Sequence, residues 1–110
     1  MVKELGGGYL SPAYEEIELV EPASGAGIPV GALLKRTSSG YEFVRTEDAE
    51  VKIAGVVASV IPRGDGAFSC VVLKVGVWSG VVYEWNTSTN VWVTTTRHRT
   101  GVLQVPVYVV

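Results

Sequence analysis

The residues that could do chemistry are few and scattered. His98 is the only histidine, set in Thr94-Thr95-Thr96-Arg97-His98-Arg99-Thr100. Its flanking arginines disfavour protonation, and no cysteine or aspartate stands near it in sequence. It reads as a solvated loop residue rather than a general base. Asp48 and Asp65 are the only aspartates, both in turn-like settings. Glu15 and Glu16 are paired carboxylates, but on a segment that reads as an arm, a poor place to hold catalytic geometry. A G-x-S-x-G nucleophile turn is absent. Cys70 lies in the strand-like run Phe68-Ser69-Cys70-Val71-Val72-Leu73 and reads as a buried, inert thiol. A single cysteine excludes an internal disulfide and a multi-cysteine zinc site.

Three short words resolve into ordinary structure. Gly6-Gly7-Gly8 lacks the G-K-[ST] ending of a phosphate loop. Arg63-Gly64-Asp65, inside Pro-Arg-Gly-Asp-Gly, reads as a tight turn with Asp-Gly at its tip. Asn86-Thr87-Ser88 matches a glycosylation sequon, but Met1-Val2-Lys3-Glu4-Leu5 leads into glycines rather than an apolar leader. The reading is a non-enzyme with no catalytic, cofactor-binding or metal site. The best binding candidate is aromatic. Tyr83 and Trp85 share one face by the two-residue strand period, and Trp92 lies across a loop from them. Such a cluster stabilises a hairpin, forms a subunit contact, or stacks on a sugar ring.

The elements that would position these residues are strands. A chain of 110 residues is one domain by size and can bury roughly two-thirds of its unfolded surface. Charged residues make up 18%, below the average of about 25%, as in a chain that hides surface against other subunits. Runs such as Val71-Val72, Val81-Val82 and Val109-Val110 favour strands. No apolar run approaches the roughly 20 residues of a membrane helix, and no membrane or nucleic-acid partner is indicated by a net charge of −2.

Residues 1–26 read as an extended arm. Glycines open it, Pro12 keeps Ser11 extended, and Glu16-Ile17-Glu18-Leu19-Val20-Glu21 alternates charged and apolar side chains as a half-buried strand does. The arm carries Tyr9, Leu10, Tyr14, Ile17 and Leu19, enough apolar surface to require a docking partner. It is also acidic, with five glutamates against Lys3, whereas residues 60–110 carry a net charge of +2.

Residues 27–110 read as a β-rich body. Strands are expected at Ala32–Lys35, Tyr41–Val44, Val51–Ala58, Ala67–Val77, Val81–Trp85, Val91–Thr95 and Val102–Val110, the last an edge or bulged strand because of Pro106. Thr46–Glu50 is the one expected helical turn, with Thr46 as its N-cap. The fold class is all-β: a small barrel or sandwich with an N-terminal arm.

The order of Ile28-Pro29-Val30-Gly31-Ala32-Leu33-Leu34-Lys35, the turn Ser38-Ser39-Gly40-Tyr41-Glu42, Ala54-Gly55-Val56-Val57 and Val72-Leu73-Lys74-Val75-Gly76-Val77-Trp78 resembles the lambda-type head decoration, or cement, proteins of tailed bacteriophages. The likeness spans residues 28 to 82 and leaves out the aromatic hairpin and the closing strand. It implies a homotrimer on the outer surface of the expanded phage head, made in the host cytoplasm. It also implies that the arm docks on the major capsid protein and so stabilises the shell. Pairing of Glu16–Glu21 with a capsid strand, with Ile17 and Leu19 filling pockets, would suit that role. A carbohydrate-binding β-module using Tyr83, Trp85 and Trp92 is the alternative.

Overall fold

The computed structural model describes residues 12–97 and the backbone of 107–109. Eight strands are present among the described residues: β1 (Ala13–Val20), β2 (Leu33–Thr37), β3 (Gly40–Phe43), β4 (Gly55–Gly64), β5 (Ala67–Trp78), β6 (Val82–Asn86), β7 (Val91–Thr95) and β8 (Val107–Val109). The main sheet runs β1-β5-β4-β2-β3 with every neighbour antiparallel; β8 adds to β5 in parallel, and β6–β7 form a separate hairpin.

Adjacent apolar residues explain why this sheet is buried on both faces. Leu33 and Leu34, Val56 and Val57, and Val72 and Leu73 point to opposite sides of the pleat, yet all are buried. One face packs Leu33, Val56 and Leu73 against Val44, Ile53 and Val82. The other packs Leu34, Val57, Cys70 and Val72 against Leu19, Ile28 and Ala32. Burial of Cys70 raises its thiol pKa, in keeping with an inert side chain.

Turn chemistry sets the register. Asp65 (φ 56°) and Gly66 (φ 77°) form a two-residue turn between Gly64 and Ala67, the left-handed pair that a tight hairpin requires. Arg63-Gly64-Asp65 therefore belongs to a hairpin end, and Pro62 sits where β4 has no second neighbour. At Gly76 (φ 139°) β5 changes partner, from β1 up to Val75 to β8 from Gly76 onward.

Several expectations change. Thr46–Glu50 is not helical: Asp48 N donates to Arg45 O, and the Asp48 carboxylate takes the Arg45 amide, closing a turn in place of the costly first turn of a helix. The strand expected from Val51 begins at Gly55, where a Cβ would come within 2.4 Å of Val72 Cγ1. The segment read as an arm is, from Ala13 to Val20, a strand of the main sheet, with Ala13 opposite Val75 and Val20 opposite Ala67. Its alternation indicated a strand correctly; the strand it pairs with is β5 of the same chain. Residues 21–27 fold back beside it, and Glu21 accepts the amides of Gly25 and Gly27 at 2.9 and 2.8 Å. Tyr9, Leu10 and His98 lie outside the described residues.

Candidate functional site: a corner and a seam

The chain meets itself in two places. The first is a corner where β6 enters the fork between the diverging ends of β2 and β3. Tyr83 N donates to Gly31 O, Trp85 N to Val44 O, and Thr46 N to Trp85 O. Gly31 (φ 103°) makes the approach possible, since a Cβ there would lie 2.4 Å from Val81 O. Glu84, 3% exposed, faces this corner and pairs with Arg97. The Arg97 guanidinium also donates to the carbonyls of Arg45, Asp48 and Ala49. Lys35 closes the same loop through Asp48 at 2.8 Å. Burial pushes the Asp48 carboxyl up, but hydrogen bonds from Lys35 and the Arg45 amide, with the positive charge of both residues, bring it below its ordinary value.

The aromatic hairpin is part of this corner. Trp85 is 3% exposed. Trp92 meets it edge to face at 5.1 Å and meets Phe43 at 5.0 Å, while its indole N–H donates to Gly27 O. Asn86 takes the amides of Ser88 and Thr89 and shapes the loop. Trp85 and Trp92 thus form a packed cluster with Phe43. Tyr83, half-buried, lies on the same strand beside Gly31.

The second meeting place is a seam. The main sheet curls until its edge strands, β1 and β3, face one another, but no backbone bond joins them. Side chains span the gap: the Tyr41 hydroxyl donates to Glu15 at 3.2 Å and accepts from Arg36 at 2.8 Å. Lys74 pairs with Glu15 at 3.2 Å, and this hydrogen bond and charge hold the Glu15 carboxyl below its usual value. Glu15 and Glu16 are not a catalytic pair, because neighbours on a strand face opposite ways; Glu16 accepts from Ser69 on the other face.

Beside that bridge the seam opens into a groove of about 630 Å³. Leu19, Phe43 and Trp85 line it, with Glu18, Glu42, Arg45, Thr87 and Asn90 at its rim. Of the residues singled out from sequence, Ile17 and Leu19 turn inward here, Tyr14 lies exposed on the outer face, and Trp85 reaches the groove. Glu42, Phe43, Arg45 and Asn90 had no distinguishing sequence signal. The alternation in Gly40-Tyr41-Glu42-Phe43 marks a strand but not which edge of it stays unpaired.

Among the described residues no group of three or more His, Cys, Asp or Glu side chains could hold a metal ion, and no helix is long and apolar enough to cross a membrane. Among the described residues the fold is all-β, a mostly antiparallel six-stranded sheet with a two-stranded antiparallel hairpin beside it. No protein-family model, curated protein or solved structure matches the chain.

Proposed function

We propose that the protein is a structural virion protein that coats the outer surface of the expanded head of a tailed phage as a trimer and stabilises the shell. Its N-terminal segment docks on the major capsid protein. One observation carries the reading: residues 1–12 lead directly into β1, an edge strand whose outer side has no partner among the described residues. A segment that orders against a neighbouring protein can continue along this edge without disturbing the body. Tyr14 and Val20, 57% and 63% exposed on the same strand, supply apolar surface for that contact. Many weak contacts repeated over a lattice then add up to a stable shell.

The glycan-binding alternative has less to stand on. Trp92 packs edge to face on both Trp85 and Phe43, and Trp85 is 3% exposed, which leaves the two indoles ill placed to stack on a sugar.

Co-sedimentation with expanded, undecorated heads tests the proposal. Stoichiometric binding that is lost when residues 1–11 are deleted supports it. The deletion must stop short of β1, since removing Ala13–Val20 would strip a strand from the sheet. Absence of binding to heads, with saturable binding to a polysaccharide instead, overturns it.

A further inference from the structure

We propose that the seam between β1 and β3 is an acceptor site for one extended strand of a partner protein, alternating basic and apolar residues. Strand direction is the first argument. Five strands in antiparallel succession, β1-β5-β4-β2-β3, leave the two edges running the same way. A single added strand can be antiparallel to both edges at once and so close the barrel. Direct pairing of β1 with β3 would be parallel, the less stable pairing.

The backbone supplies the second argument. Glu21 N donates to Gly66 O, so alternation along β1 turns the amides and carbonyls of Glu16, Glu18 and Val20 away from β5. Val44 N donates to Leu33 O, so the same alternation turns those of Tyr41 and Phe43 away from β2. Two rows of groups without backbone partners among the described residues thus face the groove, an arrangement that sheet proteins ordinarily cover.

Side chains define the occupant. The edges turn Leu19 and Phe43 into the groove, and Glu16, Glu18 and Glu42 to the outer face. A strand lying between them would have apolar residues pointing inward and basic residues beside those three carboxylates, with Arg45 the one cation lining the groove among the described residues. The site shares the β1 edge with the capsid reading but not its partner: failure to bind heads would not remove it, and failure of the peptides below to bind would leave head binding untouched.

The test is amide exchange on the full chain with three capped synthetic octapeptides: alternating lysine–valine, alternating glutamate–valine, and lysine–valine with N-methylated backbone. The lysine–valine peptide is expected to slow exchange at Glu16, Glu18, Val20, Tyr41 and Phe43 about ten-fold or more. The other two peptides should leave these amides unchanged. Glu18→Lys with Glu42→Lys, both outside the core, should transfer the preference to the glutamate–valine peptide. Equal protection by both charged peptides, protection elsewhere, or no protection overturns the proposal. Protection of these amides by self-association alone would assign the seam to a second copy and also overturn it.

Discussion

The corner and the seam solve the same problem in opposite ways. At each, edges of β structure come together and must satisfy their polar groups. At the corner, backbone bonds from Tyr83, Trp85 and Thr46 stitch the elements, and the half-buried Arg97, paired with buried Glu84, ties in three loop carbonyls. At the seam only side chains touch, through Tyr41 and Glu15. The corner is built to stay shut. The seam leaves five amides without partners among the described residues, which is useful only if something else pairs with them.

Breaking the corner should therefore cost far more than breaking the seam. Arg97→Ala removes the guanidinium that pairs with Glu84 and caps three loop carbonyls, and should lower unfolding free energy by about 2–3 kcal/mol in urea titration. Glu84→Leu combined with Arg97→Met removes both charges but leaves the three loop carbonyls without the guanidinium, and should recover only part of that loss. Equal loss in the single and double variants would mean that the pair does not hold the corner. Gly31→Ala puts a Cβ against Val81 O at positive φ and should cost about 1–3 kcal/mol.

Acid offers a graded version of the same test. The Asp48 carboxyl has a folded pKa below its ordinary 3.8. Its contribution is therefore complete above that value and fades as pH falls through the lower folded value. The expected difference between wild type and Asp48→Asn is about 1 kcal/mol or less at pH 6, shrinking as pH falls below 3.8. At the seam, Tyr41→Phe removes the bridge to Glu15 and should change stability by only about 0.5–1 kcal/mol. A larger effect there would show that the seam is a closed joint rather than an open one.

The sequence made most of this architecture legible, because local rules determine it. Asp65-Gly66 and Asn86–Asn90 announced their hairpins through turn chemistry, and the alternation in Glu16–Glu21 announced β1. Strand partners are not local. Nothing in Glu16–Glu21 says whether its partner is β5 or another protein, so the segment read as an arm docking elsewhere pairs, from Ala13 to Val20, with its own chain. Trp85 and Trp92 were visible as a pair, but their packing with Phe43 depends on the fork between β2 and β3, which no spacing encodes. The groove was invisible for the same reason: it lies between strands at opposite ends of the sheet order. The Glu84–Arg97 pair gave no signal either, since its partners are carbonyls of a loop some fifty residues away.

Amide exchange on the full-length protein, free and bound to expanded heads, tests the account most directly. The account predicts slow exchange at the Trp85 amide of the corner in both states. It predicts fast exchange at Glu16, Glu18 and Val20 in the free protein, slowing about ten-fold or more on the shell. Stoichiometric binding to heads with no change along β1 would contradict it.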